Sequence, residues 1–460
     1  MHNLYCNIDY IKEDLQLLLN LFDEYKKDLE VTFEMHADKA CITINGQPQE
    51  YKLDISNNRQ LKHSSKIALY NALSRFTSIK LPWGALTGIR PTKLYYELLK
   101  DNDDKTCARI FTNTYKVSPN KTKLTRLIIK NQHKITPNDD YIDYFIFIPF
   151  CPSKCYYCSF VSMPLNNCKH LVAPYLDALK QEIIASKEII AKNHYIVRNI
   201  YIGGGTPTSI TCEQLEQIIS LLDDVDMNEF TVECGRPDTI DKAKLDMLSR
   251  HNVTRISINP QSFNDNTLQK IGRKHTSTDI INAYNLAKNY DFVINMDLIA
   301  GLSSETLKDF KYSLNTAIKL APDNITVHTL SIKRASSLKM DGGETSNIDE
   351  VIKMVKYSIN RLLHYKYKPY YLYKQKNMLG NLENVGYYKN NICEFNVNSM
   401  EECASVLAVG SNAISKRLFS KTNRIERLAN VKNIPDYISN IKTIIDKKKV
   451  FFDRNNTLQD

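Results

Sequence analysis

Phe150-Cys151-Pro152-Ser153-Lys154-Cys155-Tyr156-Tyr157-Cys158 decides the reading of this chain. Its three cysteines are spaced C-x3-C-x2-C, so one tight loop can carry all three sulfurs. Iron–sulfur clusters ordinarily take four Cys thiolates, and a structural zinc also takes four ligands. Three thiolates therefore leave one iron of a [4Fe–4S] cluster open to a non-protein ligand. A zinc loop completed by a distant His or Cys, or a redox pair, are the alternatives the triplet leaves open. Pro149 and Pro152 limit the backbone on either side of Cys151. Phe150, Tyr156, Tyr157 and Phe160 would exclude water from a cluster and tune its potential, or would serve as ordinary packing at a strand end.

The loop lies in a region of alternating strand and helix patterns, residues 139–343. Apolar runs at Asp143–Phe150, Arg198–Ile202, Glu229–Cys234, Thr254–Asn259, Val293–Ile299 and Ile325–Leu330 are separated by amphipathic stretches such as Leu171–Ala191, Cys212–Leu222 and Asp279–Asn289. Strands that each need a crossover helix imply a parallel sheet. Six such units fit in about 200 residues, whereas a complete eight-unit barrel takes about 250. The pattern predicts an α/β fold built on an incomplete (β/α)6 barrel, with functional groups at the C-terminal ends of its strands.

On either side the patterns change. Residues 1–138 predict an α+β domain: helix Ile11–Phe22, strands Glu30–Met35, Ala40–Ile44 and Glu50–Ile55, and helix Lys62–Thr77. Leu81-Pro-Trp-Gly-Ala-Leu-Thr-Gly-Ile-Arg-Pro-Thr-Lys93 follows with the only Trp, and the turn formers of Thr136–Asp140 close the region as a linker. Residues 344–460 predict a mostly helical C-terminal region; it opens with helix Ile348–His364 and the Tyr-rich strand Tyr370–Tyr373.

Composition bounds the function class. At 460 residues, with 43% hydrophobic and 24% charged, the chain has material for two or three buried cores. No apolar run reaches the roughly 18 residues of a membrane span, and residues 1–30 lack a signal-peptide pattern, so no membrane partner is expected. Eight of the 11 cysteines are scattered without paired spacing, which implies reduced thiols and a cytoplasmic location. The formal charge of +10 is dispersed rather than gathered in a stripe, which makes nucleic acid an unfavoured partner and suits a polyanionic small molecule equally well.

Further motifs fall at the predicted strand ends in order. Tyr201-Ile-Gly203-Gly204-Gly205-Thr206-Pro207-Thr208 follows the second strand, and its glycines let a ligand approach the backbone. Glu233 closes the third strand, and Gln261 the fourth, with Arg273 twelve residues on in Ile271-Gly-Arg-Lys-His275. Asp297 sits in the fifth. Two carboxylates, an amide and a guanidinium suit a zwitterionic nucleoside: Arg273 for a carboxylate, Gln261 and Asp297 for ribose hydroxyls. Charge-assisted contacts of about 1.5–3 kcal/mol each can orient such a ligand. Polar strand ends facing solvent would leave the same pattern.

Together these residues resemble the radical SAM superfamily, whose cluster leaves its open iron to S-adenosyl-L-methionine. Ile148-Pro-Phe-Cys151, the Gly-Gly-Gly-Thr-Pro-Thr run, the Gln261-to-Arg273 spacing and Asp297-Leu-Ile-Ala-Gly301 are similar to the oxygen-independent coproporphyrinogen III oxidase family, extending weakly into Val409–Ser415. Gly84–Leu94, Glu233-Cys-Gly-Arg-Pro-Asp-Thr239 and Tyr371–Tyr387 resemble its coproporphyrinogen dehydrogenase (HemZ) branch, so the likeness runs through most of the chain.

The resemblance implies the six-strand radical SAM barrel, a [4Fe–4S] cluster on Cys151, Cys155 and Cys158, and S-adenosylmethionine held by Phe145, Gly204, Gly205, Thr206, Glu233, Gln261, Arg273 and Asp297. It implies oxidative decarboxylation of two propionates of the tetrapyrrole coproporphyrinogen III to the vinyls of protoporphyrinogen IX in haem biosynthesis. One electron from an unidentified low-potential donor would release a 5′-deoxyadenosyl radical, which would take a hydrogen from the propionate β-carbon. The tetra-anionic substrate gives the basic balance a purpose, with Arg90, Lys93, Lys374 and Lys376 as propionate partners or as ordinary solvated charges.

Two departures separate the chain from the oxidases: Phe145-Ile-Phe147 replaces their Tyr-x-His, and Phe160 replaces an additional Cys. Three other readings stay open. A haem chaperone or haem-modifying methyltransferase keeps the cluster, and an RNA-modifying radical SAM enzyme would use the charge. A non-enzymatic metal protein would have no use for the nucleoside pocket.

Overall fold

The computed structural model describes residues 4–23, 25, 29–88, 90–132, 136–158, 162–331, 347–375, 378–422 and 424–454. Two compact units emerge: residues 1–131 with 372–384, and residues 132–371 with 385–460.

In the first unit, strands β1 (Leu4–Cys6), β2 (Val31–His36), β3 (Lys39–Ile44) and β4 (Gln47–Lys52) form one sheet in that order. Strands β1 and β2 are parallel and the rest antiparallel. Asn45 and Gly46, at φ 47° and 79°, make the two-residue turn between β3 and β4, a conformation matching the right-handed twist of a hairpin. Helices α1 (Asp9–Asp23) and α2 (Asn58–Thr77) close a core of Leu15, Leu19, Phe33, Ile42 and Leu69. Helices α3 (Pro91–Leu99), α4 (Asp104–Arg109) and α5 (Pro119–Asn131) complete the unit. The segment 372–384 is tied in by Glu383, which accepts from Trp83 Nε1 at 2.8 Å and pairs with Lys121.

The second unit is built on a sheet of eleven strands among the described residues. Its centre is the six-strand parallel run read from the sequence: β5 (Tyr141–Ile148), β8 (Ile196–Gly204), β9 (Glu229–Glu233), β10 (Arg255–Ser257), β11 (Val293–Ala300) and β12 (Asn324–Thr329). Between β5 and β8 lie the short strands β6 (Phe150–Cys151) and β7 (Met163–Pro164), which pair with each other. Most residues of the central strands are buried, as a sheet covered on both faces requires.

The crossover helices include α6 (Leu165–Lys192), α7 (Cys212–Ile219), α8 (Lys242–Arg250), α9 (Asp265–Lys270), α10 (Ser277–Ala287) and α11 (Leu307–Leu320). Capping boxes start α7 at Thr211 and Gln214, α10 at Thr276 and Asp279, and α11 at Thr306 and Asp309, satisfying backbone donors the helix leaves free. The sheet stays open, ending in outer strands rather than closing on itself.

The C-terminal region contributes helix α12 (Ile348–His364), the Tyr-rich strand expected at Tyr370–Tyr373 and, alongside the later helices, four further strands that the sequence reading left unassigned. Strand β13 (Lys368–Tyr373) and strand β14 (Asn384–Tyr388), antiparallel to β12, extend one edge. Strand β15 (Ser405–Val409) lies parallel to β5, followed by β16 (Ile414–Phe419) and β17 (Arg424–Ala429) at the other edge. Among the described residues no helix is long and apolar enough to cross a membrane.

Candidate cluster and nucleoside site

Most of the groups assembled here lie in, at the end of or just after a central strand of the second unit, and the register brings the C-terminal halves of those strands together. Phe147 and Ile148 of β5 pair with Gly203 and Gly204 of β8, and Ser257 of β10 pairs with both Glu233 of β9 and Asn295 of β11. Asp297 of β11 pairs with Thr326 of β12.

The cysteine loop is held at both ends. On one side, Gly205 N donates to Ile148 O at 2.8 Å, Thr206 N to Phe150 O at 2.7 Å, and Thr206 Oγ1 to Cys151 Sγ at 3.6 Å. A Cβ on Gly205 would lie 2.5 Å from Phe150 O and 3.0 Å from Cys151 Sγ, so only glycine lets the two loops meet. Gly204 needs its freedom for a second reason, a φ of +114°.

On the other side, Tyr156 N donates to Ile271 O at 3.1 Å and Ser153 Oγ to Gly272 O at 3.1 Å. Cys155 is buried, and burial pushes the Cys151 thiol above its ordinary value, so a thiolate there calls for a metal partner. Of the expected aromatic surround, Phe150 is buried and Tyr157 half-buried. Tyr156 is 48% exposed, while Phe160 lies outside the described residues.

Arg273 is buried beside the loop. Its Nη1 donates to Asn259 O at 2.5 Å and Gly235 O at 3.2 Å, and its Nη2 to Tyr157 Oη at 3.2 Å. Its Nε, together with Gln261 Oε1 and Asn259 Oδ1, is buried without a protein partner among the described residues. Buried polar groups are nearly always paired, so three orphans at adjoining strand ends fit a polar ligand. Gln261 itself has a φ of 64°, an uncommon conformation for its type; its N donates to Asp297 O at 2.8 Å and its O accepts from Ile299 N at 3.0 Å. That bridge aims the residue from β11 rather than from β10, which ends at Ser257.

The two carboxylates differ in environment. Burial and then the charge of Asp297 push Glu233 up to about 7, although Tyr201 Oη donates to it and Asn259 Nδ2 does so at 3.3 Å. Burial acts the same way on Asp297. There His328 Nε2 at 3.4 Å, and Asn295 Nδ2 donating at 2.8 Å, outweigh it and hold the carboxyl below its ordinary value. Phe145, half-buried, stands 6.1 Å from the Tyr201 ring and 6.1 Å from Phe395, which stacks on Tyr201 at 4.5 Å.

Sequence reasoning passed over Arg236. This buried guanidinium donates from Nη1 to Ser153 Oγ at 3.0 Å and reaches Cys155 Sγ at 4.0 Å. Asp238 holds its other edge through two 2.9 Å bonds, and His275 Nδ1 lies 3.1 Å from the same carboxylate. Its position in Glu233-Cys-Gly-Arg236-Pro-Asp238, just past a strand end, was the available signal.

Arg90, Lys93 and Lys374 belong to the first unit. Arg90 and Lys93 line a cavity there, and Lys374 is buried, its Nζ donating to Leu86 O at 2.9 Å and lying 5.7 Å from the Trp83 ring centre. Lys376 lies outside the described residues.

Three thiol side chains in one loop, a glycine cradle and unpartnered polar atoms match a cluster with a nucleoside cosubstrate. No three His, Cys, Asp or Glu side chains among the described residues form a group for a single metal ion. A cubane binds each thiolate through a different iron, so its ligands need not meet at a point.

Residues 145–317 match the model of the radical SAM superfamily. The oxygen-independent coproporphyrinogen-III oxidase-like protein HemZ of Bacillus subtilis is 37% identical over 96% of this chain and 95% of its own length. The heme chaperone HemW of the same organism is 36% identical over 41% of this chain and 50% of its own. In fold, the chain is similar to the radical SAM coproporphyrinogen III oxidase HemN of Escherichia coli, with a TM-score of 0.54 and 21% identity over 69% of this chain and 72% of that one. The near-full-length likeness, joined to the superfamily match, shows that the chain belongs to the HemZ family of radical SAM proteins, a superfamily that uses a [4Fe–4S] cluster and S-adenosylmethionine.

Proposed function

We propose that this protein is an oxidoreductase that decarboxylates coproporphyrinogen III to protoporphyrinogen IX without oxygen. The observation that carries the reading is the 37% identity, over almost the whole of both chains, to a protein named as oxygen-independent coproporphyrinogen-III oxidase-like. When bound, the cluster and S-adenosylmethionine supply the one-electron chemistry that removes a hydrogen atom from an unactivated carbon.

The chain's own residues would do the rest. Cys151, Cys155 and Cys158 would hold three irons, and Gly204, Gly205 and Thr206 would meet the amino end of the cosubstrate. Arg273 would take the methionyl carboxylate through its Nε, the donor its present bonds leave over. Gln261 and Asp297 would accept from ribose hydroxyls. Glu233, close to neutral pH in its titration, would take a cationic donor more firmly once ionised. Phe145, with Tyr201 and Phe395, would form an apolar wall that keeps water from the reacting carbon. Arg90 and Lys93 would meet propionates; the carboxylate of each of two propionates would leave as CO2, one hydrogen atom passing to the cosubstrate's deoxyadenosyl group and one electron to a one-electron acceptor, so that a vinyl remains.

The second reading, a haem chaperone of the same superfamily, is favoured by the likeness of the central region to the protein named heme chaperone HemW. One experiment separates them. Protein reconstituted anaerobically with iron and sulfide is given S-adenosylmethionine, a reductant and coproporphyrinogen III, and CO2, 5′-deoxyadenosine and vinyl product are quantified. Stoichiometric CO2 and vinyl product support the oxidase reading. 5′-Deoxyadenosine without vinyl product, together with tight haem binding, overturns it in favour of the chaperone.

A further inference from the structure

The cavity of about 260 Å³ in the first unit is lined by two converging helix faces. Helix α2 contributes Arg59, His63 and Lys66, at spacings of four and three, and α3 contributes Lys93 and Glu97, with Arg90 at its N-cap. Residues so spaced share one face of a helix. Ile67, Leu94 and Tyr115 add apolar wall.

The charge in and beside this cavity is one-sided. Glu97 is the only carboxylate among the described lining residues, and Arg59 already pairs with it. Asp14 serves both Lys62, at 2.7 Å, and Lys66, at 3.8 Å. Burial lowers the Lys66 pKa. Burial, then the charges of Lys66 and Arg59, hold His63 below its ordinary value. Behind the cavity, Lys374 donates to Leu86, itself a lining residue. Lys121 and Lys374 share Glu383 as nearby counter-charge; burial, with the charges of Lys121 and Lys66, outweighs Glu383 and brings Lys374 down to about 7. Gathering cations in partly buried surroundings is unfavourable unless an opposite charge joins them.

We propose that this cavity is a binding site for a small polyanion, a ligand bearing two or more carboxylates or phosphates. Its size is below that of the pockets, about 300–1,000 Å³, that enclose drug-sized ligands. It therefore takes a pyrophosphate-sized ion or one carboxylate-bearing edge of something larger. The carboxylate source, the propionates of a tetrapyrrole, rests on the function proposed above; the phosphate source does not.

The test is calorimetric titration of the full-length, anaerobically reconstituted protein with pyrophosphate and, separately, with coproporphyrin III, the oxidised form of that substrate. Each is repeated with the Arg90→Gln/Lys93→Gln double variant and with Lys66→Met. Emission from Trp83, the chain's only tryptophan and two positions before the lining residue Ala85, gives a local readout for the colourless pyrophosphate. The expected result is saturable one-to-one binding of at least one probe. It should weaken about 10-fold or more in the double variant and with added salt, while iron content and the spectral response to S-adenosylmethionine stay unchanged. Binding of coproporphyrin alone assigns the carboxylate source, and binding of pyrophosphate alone the phosphate source. Absence of saturable binding of either probe, or binding that neither the double variant nor Lys66→Met weakens, overturns the proposal. Because both probes are read without turnover, a failed decarboxylation assay leaves the outcome independent.

Discussion

The second unit and the first handle buried charge in opposite ways. In the second, buried cations meet their partners: Arg255 faces Glu229 at 3.1 Å, Arg236 grips Asp238, and Lys448 lies 2.5 Å from Glu182. Beside its cysteine loop, what is left over is hydrogen-bonding atoms: the orphaned Nε of Arg273 and the amide oxygens of Gln261 and Asn259. In the first unit the imbalance is of charge itself: Arg59, Lys66, Arg90 and Lys93 line the cavity against Glu97 as the only acid among its described lining residues. A site for a zwitterion is marked by leftover hydrogen-bonding atoms. A site for an anion is marked by leftover charge.

The comparison breaks most sharply at the cysteines. Cys155→Ala is expected to abolish both bound iron–sulfur and 5′-deoxyadenosine release, measured by iron content, visible absorption and product analysis. A variant that keeps its cluster would remove the second unit's assignment and leave the first unit's untouched. Next in size, Arg273→Met should weaken S-adenosylmethionine about 10-fold or more in anaerobic equilibrium binding, since a charge-assisted contact is worth about 1.5–3 kcal/mol. Unchanged affinity would mean that Arg273 serves only the carbonyls of Gly235 and Asn259.

Lys374→Met tests the first unit through pH. The folded pKa of Lys374 is near 7, against an ordinary value of 10.5, so the unfolded chain holds the proton between those limits and the folded one does not. Wild-type stability should therefore rise from about pH 7 toward pH 10.5. The variant should be the more stable by on the order of a few kcal/mol below pH 7, with the gap closing as pH rises. Parallel denaturation curves at pH 6, 8 and 10 check this, and a pH-independent gap would contradict it.

The smallest effect is expected at Arg236. Replacing it by Gln removes a buried positive charge 4.0 Å from Cys155 Sγ and should lower the cluster's reduction potential, with iron content retained. Lys should restore part of that loss. Redox titration followed by electron paramagnetic resonance reads the shift, and an unmoved potential would reduce Arg236 to a brace for Ser153 and Asp238.

How much of this was legible depended on where each residue's partners lie. The six central strands were found within a few residues of their ends because strands covered on both faces are written as continuous apolar runs. Helix Ile348–His364 was found to the residue, its amphipathic pattern being undiluted. Strand β4 starts at Gln47, three residues ahead of the reading, because the Asn45-Gly46 turn signal went unused.

Helix α5 carries no apolar pattern in the sequence because its buried face includes Lys121, Thr122 and Thr125. Lys121 is tolerable there only through Glu383, 262 positions later. Strands β16 and β17 were hidden for a similar reason: Ile-Ser-Lys-Arg-Leu-Phe and Arg-Ile-Glu-Arg-Leu-Ala read as charged. In β16, Ser415 and Arg417 are buried along with Leu418 while Ile414 is exposed, and no residue of β17 is buried. At the site, the cysteine triplet and glycine run announce themselves by spacing. Arg236 does not, since its contact with Cys155 spans 81 positions and exists only after folding.

The excursion of residues 372–384 has a practical bearing on how the molecule can be taken apart. Because the chain enters the first unit twice, a fragment ending near Asn131 would keep Trp83 and Lys121 but forfeit Glu383, the acid both of them hold. Dissecting the protein at the obvious sequence boundary would thus yield a first half with an internal ammonium and an indole N–H stripped of their acceptor. Grafting 372–384 onto that fragment through a short linker is the cut that respects the fold.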